Sequence, residues 1–217
     1  MIHNDSKYFS KILTIIATLL ITLSAYFYLS SSGLEKKKYG AIEHRDAINI
    51  GGDFRLQNLN GEYENTSSSL TSDFRLIYFG FTYCPDICPA TLELISNAVE
   101  LTNKYGITVD AVFVTIDPAR DTTNVLRPYL NHINNKIIGY TGTVDEIKQV
   151  ADLFKVYYNI APCDNLDRAK KEGTYLLDHS SFIYLLSREG KFIHYFDSSE
   201  SPINIANFIH KEASLNK

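Results

Sequence analysis

An α/β fold is predicted, in which a parallel section of sheet is completed by an antiparallel hairpin. Two observations predict it. Three apolar runs, 76–79, 109–116 and 137–140, have the β-branched and aromatic composition of buried strands, and a segment of helical periodicity follows each. Two further strand-like runs, 181–186 and 192–196, then enclose Ser187-Arg188-Glu189-Gly190-Lys191, and a last helical segment closes the chain.

The chain has 217 residues, a formal charge of −4 and a pI near 5.9. That length holds one domain and an appendage, and the charge gives no overall basic field for nucleic-acid phosphates. Residues 12–29 carry no charge, and as a helix they reach about 27 Å, close to the hydrocarbon thickness of a bilayer. They are read as a transmembrane anchor behind a short segment 1–11. The alternative is a cleaved signal peptide ending in the small residues Ser30-Ser31-Ser32-Gly33, but the apolar run exceeds a usual signal core. Lys7 and Lys11 precede the segment and Lys36, Lys37 and Lys38 follow it, so charge alone slightly favours a cytoplasmic C-terminal domain. Residues 30–47 are polar and aperiodic, as a tether is, and the globular domain is expected over 48–217.

That domain begins with Phe54-Arg55-Leu56 and Glu62-Tyr63 around Asn60-Gly61, a hairpin signal. After the strand 76–79, Gly80 gives freedom to turn, and Leu92, Ile95, Ala98 and Val99 recur at helical spacing, with Gly106 as the expected C-cap. The run 109–116 reads as a central parallel strand. It ends in Asp117-Pro118-Ala119-Arg120-Asp121-Thr122, where Asp121 or Thr122 is placed to cap a helix that Pro128 should kink or shorten. Thr143-Val144-Asp145-Glu146 has the capping-box pattern ahead of Ile147, Val150, Ala151 and Phe154. Residues 159–174 read as a long polar connection, and Ser201-Pro202 opens the last helix with Ile205, Phe208 and Ile209 inward. This order of elements is thioredoxin-like.

The chemistry centres on Tyr83-Cys84-Pro85-Asp86-Ile87-Cys88-Pro89, at or just before a helix start. There, unpaired amides and the helix dipole favour thiolate over thiol, and both prolines are tolerated. A four-residue step puts both sulfurs on one face, suited to sharing a soft metal or closing a disulfide. The plain alternative is two small core residues. A third ligand is sought among six histidines. His3 precedes the anchor, His44 lies in the tether, His132 and His210 fall near helix ends, and His194 alternates within a hairpin strand. His179, in Leu177-Asp178-His179-Ser180, immediately precedes the hairpin; by analogy of fold that loop faces the cysteine-bearing helix.

The motif around Cys84 and Cys88, then Thr115-Ile116-Asp117-Pro118-Ala119-Arg120-Asp121-Thr122, then Asp178-His179-Ser180 ahead of Tyr184-Leu185, in this order and separation, resemble the Sco/SenC family over roughly residues 48–212. Its members are membrane-anchored, thioredoxin-fold copper proteins that assist assembly of the dinuclear copper site of cytochrome c oxidase. The resemblance implies that Cys84, Cys88 and His179 bind copper, with Asp117 in a family motif near the site. Two thiolates and an imidazole satisfy low-coordinate Cu(I), and the nitrogen also lets the site hold Cu(II). Structural zinc would want a fourth ligand. It further implies a metallochaperone anchored once in an inner membrane, its domain on the periplasmic or intermembrane-space side, that takes copper from a donor protein and passes it to the copper-accepting oxidase subunit. The rival is a thiol–disulfide oxidoreductase using Cys84 and Cys88 to reduce acceptor cysteines before metallation. A thiol peroxidase is a third reading, without motif support. Pro128, the basic second half of 159–174 and Cys163 depart from the family pattern.

Overall fold

The computed structural model describes Lys11, residues 15–24, Tyr26 and residues 50–215. Residues 15–24 and Tyr26 are helical, with Ile15, Leu19, Leu20 and Leu23 exposed. Among the described residues no helix is long and apolar enough to cross a membrane. The rest of the expected anchor 12–29, the segment 1–10 and the tether 30–47 lie outside the described residues.

Asn49–Lys217 form a compact unit of their own. It opens with a hairpin of β1 (Arg55–Asn58) and β2 (Tyr63–Asn65), as Asn60-Gly61 predicts, followed by a single turn, α1 (Thr66–Ser69). Then come β3 (Phe74–Gly80), α2 (Ile87–Asn103), β4 (Val109–Thr115), α3 (Thr123–Ile133), β5 (Ile138–Thr141) and α4 (Val144–Leu153). Next, β6 (Tyr158–Ile160), α5 (Leu166–Glu172) and β7 (Leu177–His179) precede the hairpin of β8 (Phe182–Ser187) and β9 (Phe192–Asp197), and α6 (Pro202–Leu215) ends the domain.

The main sheet has the order β2-β1-β5-β4-β3-β8-β9. Strands β3, β4 and β5 are parallel, and β8 joins β3 antiparallel, with Leu76 opposite Leu185. Every residue of β3 is buried, which is why that run is continuously apolar apart from Arg75. Buried Arg75 is answered by Asp53 and by the carbonyls of Leu70 and Arg188, so its charge ties the hairpin turn to the first strands. The core is aromatic, with Phe79, Phe154 and Tyr184 in mutual contact.

The end of α2 is as expected: left-handed Gly106 (φ 72°) donates to the Asn103 carbonyl at 3.0 Å and the Ile107 amide to the Thr102 carbonyl at 3.4 Å, a glycine-terminated helix end. Three expectations are corrected, concerning Pro128, residues 159–174 and Gly80. Pro128 does not shorten α3, which runs from Thr123 to Ile133; the carbonyl that loses its amide partner belongs to Asn124, on an exposed face where it stays open to solvent. Residues 159–174 are not a plain connection, since they supply β6 and α5 with an Asn165 cap and a left-handed Gly173 end. Gly80 is not a turn residue: it is the last residue of β3, paired with Thr115. The capping box of α4 is present in both directions, Thr143 with Glu146.

Candidate metal centre

The parallel strands end on one side of the sheet, and the chemistry-bearing residues collect there, where a doubly flanked sheet leaves a crevice. From Gly80 the chain turns through residues 81–86, with the Cys84 amide donating to the Phe81 carbonyl at 3.3 Å, and enters α2. Cys88 is the second residue of α2 and fully buried; Cys84 lies before the helix and is partly exposed. Asp86 sits at the cap position without a side-chain bond to the helix, so first-turn amides remain available to other acceptors.

Those amides and the second thiol act on Cys84. A hydrogen bond from Cys88 holds the Cys84 thiol well below its ordinary range, aided by His179 and by the backbone amides of Cys88 and Asp86, against a desolvation cost. Cys88 is pushed up, first by donating to Cys84 and then by burial. Within the reduced pair Cys84 is therefore the thiol that ionises first and buried Cys88 the one that keeps its proton longer.

His179 arrives as the last residue of β7, a strand rather than the expected loop, paired with Tyr158 in a two-stranded ribbon separate from the main sheet. Its Nε2 is 3.8 Å from Cys88 Sγ, and its Nδ1 is 3.0 Å from the Ser180 carbonyl. A carbonyl only accepts, so Nδ1 carries a proton and Nε2 is the nitrogen turned to the thiols. The ring packs edge-on against Tyr78 and Phe81. Cys88 and His179 are in direct contact, and both act on the Cys84 thiol. Among the described residues no three His, Cys, Asp or Glu side chains converge as a ready-made metal cage.

The surroundings were less legible. Tyr78, wholly buried, donates its hydroxyl to Cys88 Sγ at 3.6 Å. Asp117 is buried with both oxygens engaged: Arg120 Nε donates to Oδ2 at 2.5 Å and the Tyr175 hydroxyl to Oδ1 at 2.8 Å. It is part of the wall. Asp121 accepts from the Thr82 amide, the Thr82 hydroxyl and the Thr115 hydroxyl, fastening the chain two residues before Cys84. The Asp117–Thr122 motif pointed to Asp117 near the site and to Asp121 or Thr122 as a helix cap, whereas nothing in the sequence pointed to Arg120, Tyr78 or Tyr175 as parts of the wall. Of the other histidines, His194 stacks on Phe208, and the His210 ring lies tilted against Tyr105 with 4.5 Å between centroids. Cys163 is exposed and free, and His3 and His44 lie outside the described residues.

Comparison with known proteins gives a consistent answer. The SCO1/SenC family profile matches residues 42–214. An SCO2-like protein of Rickettsia felis is 44% identical over 200 residues, covering 92% of this chain and 95% of its own. The crystal structure of Arabidopsis thaliana ScoI with copper bound superposes with a TM-score of 0.69 at 33% identity, over 76% of this chain and 99% of that one. BsSco, described as having a disulfide switch and as a member of the Sco family of cytochrome c oxidase assembly proteins, shares the fold at 24% identity and a TM-score of 0.59, over 80% of this chain and 98% of its own.

Proposed function

Because the chain belongs to the SCO1/SenC family, we propose that it is a membrane-anchored copper metallochaperone that supports assembly of the dinuclear copper site of cytochrome c oxidase. Cys84, Cys88 and His179 hold the copper, which is cargo. The observation that carries this is the 3.8 Å between Cys88 Sγ and His179 Nε2, with both side chains lowering the pKa of the Cys84 thiol beside them. Taking metal bonds of about 2.3 Å to sulfur and about 2.0 Å to nitrogen, one ion bridges that gap at an angle of roughly 120°, as three-coordinate Cu(I) requires.

The chain's own groups suggest the order of events. Cys84, ionised and partly exposed, meets the ion first. Cys88 must release its proton to join, so uptake liberates a proton and weakens as pH falls. Release to an acceptor runs by ligand exchange at the exposed side, where incoming thiolates displace Cys84 before the buried Cys88. In this proposal residues 12–29 are the anchor, 30–47 the tether, and the domain lies outside the cytoplasm, in periplasm or intermembrane space, where the copper-accepting oxidase subunit and a copper donor are reached.

The asymmetry of the two thiols favours a second reading as a dithiol reductase. Cys84 thiolate attacks an acceptor disulfide and expels one acceptor thiolate; Cys88, losing its proton, then attacks the mixed disulfide, leaving a Cys84–Cys88 disulfide and a second reduced acceptor thiol. Anaerobic Cu(I) titration of the full-length chain in detergent, with Cys84, Cys88 and His179 each replaced by Ala, separates the two. Metallochaperone function predicts weakened binding in all three variants; unchanged binding in all three ends it. His179→Ala that still reduces an acceptor disulfide at the wild-type rate would support the reductase. A topology reporter fused after Lys217 tests the compartment, and a cytoplasmic signal would overturn it.

A further inference from the structure

We propose that Arg120 is a positioning residue for this centre: it holds the β6–β7 ribbon, and with it His179, against the cysteine turn. This rests on the metal-binding reading above. The ribbon belongs to a separate two-stranded sheet, and two strands alone are marginally stable in water. It therefore depends on anchors from the rest of the domain. Arg120 supplies two, donating through Nη1 to the Gly173 carbonyl at 2.9 Å and the Tyr175 carbonyl at 2.8 Å, just ahead of β7.

The same guanidinium reaches the other half of the site. Its central carbon lies 3.6 Å from the ring centroid of Tyr175 and 4.8 Å from that of Tyr83, the residue before Cys84. Arg120 thus stands between the segment that leads to His179 and the segment that leads to Cys84. Asp117 fixes its direction by accepting from Nε and, at the other oxygen, from the Tyr175 hydroxyl. Nη2 has no hydrogen-bond partner, a cost that stacking on two tyrosines helps to offset. Only a planar, forked cation makes the two carbonyl bonds, the carboxylate bond and the ring contacts together; lysine offers a point charge.

The test uses the full-length chain in detergent micelles, with Arg120→Ala, Arg120→Lys, His179→Ala and the Arg120→Ala/His179→Ala pair. Hydrogen exchange of the metal-free protein should show faster amides over 174–180 in Arg120→Ala, with 76–79 unchanged. Cu(I) affinity by competition should fall about tenfold or more in Arg120→Ala, as for residues that orient a ligand, and less in Arg120→Lys. In the His179→Ala background the same substitution should cost nothing further. An equal loss in both backgrounds would show that Arg120 does not act through His179, and unchanged exchange over 174–180 would show that it does not hold the ribbon. A wild-type chain that binds no Cu(I) would sink the metal reading itself, while the exchange arm would still decide the ribbon.

Discussion

A β-carbon placed on Gly80 would lie 2.8 Å from Cys88 Sγ. Gly80 closes β3 in an ordinary strand pairing with Thr115, so its value is the space it leaves and not a turn. The same β-carbon would stand 3.0 Å from Phe113 and 3.1 Å from Tyr78, the tyrosine that donates to Cys88. The sulfur can be buried at the start of α2 because the strand beneath it has no side chain.

Gly80→Ala should therefore overpack the centre. None of the three neighbours is the free end of a flexible chain: Cys88, Phe113 and Tyr78 are all buried. We expect a loss of about 1–3 kcal/mol in urea unfolding and weaker Cu(I) binding, as Cys88 is displaced from His179. Stability and affinity both equal to wild type would show that the site has room the structure denies it.

Alkylation should report the asymmetry of the two thiols. Cys84 lies below its ordinary range because Cys88 donates to it, with His179 and two backbone amides adding to the effect. Iodoacetamide should modify Cys84 at a rate that stays nearly flat from pH 8 to pH 5, where an unfolded thiol, with pKa about 8.5, slows about tenfold per unit. The linkage has the same sign. A lowered folded pKa contributes stability that is fully present above the unfolded value and is lost as pH falls through the lowered one. Cys88→Ala removes the principal donor and should restore a steep pH dependence to Cys84. A steep profile in the wild type would remove the thiolate from the mechanism.

The strands and helices were legible because their periodicities are dictated by burial: β3 is apolar apart from Arg75 and β4 apart from Asp110 and Thr115, and α4 announces itself through Thr143 and Glu146. The cysteine pair and His179 stood out in the sequence because few residue types suit a soft metal, and the structure puts Cys88 and His179 in contact. Pro128 misled because sequence shows a missing amide but not whether the orphaned carbonyl is wet. The ribbon carrying His179 was hidden for a different reason. Its strands have three residues each, and its hold on the domain comes from Arg120, whose partners are backbone carbonyls 53 and 55 positions away. Carbonyls leave no trace in side-chain pattern.

Asp121 supports the last prediction. Its carboxylate accepts from the Thr82 amide at 3.0 Å, the Thr82 hydroxyl at 2.5 Å and the Thr115 hydroxyl at 2.6 Å, at the base of the loop that presents Cys84. Asp121→Ala strands these donors in a buried site and should cost about 3 kcal/mol. Burial nevertheless raises the Asp121 pKa, outweighing the hydrogen bonds that lower it. A raised folded pKa contributes stability that is fully present below the unfolded value, about 3.9, and is lost as pH rises through the folded one. The gap between wild type and Asp121→Ala should therefore be wider at pH 4 than at pH 7, by urea unfolding at each. A gap wider at pH 7 would mean that the three donors stabilise the carboxylate more than burial opposes it, and that this loop is held by charge.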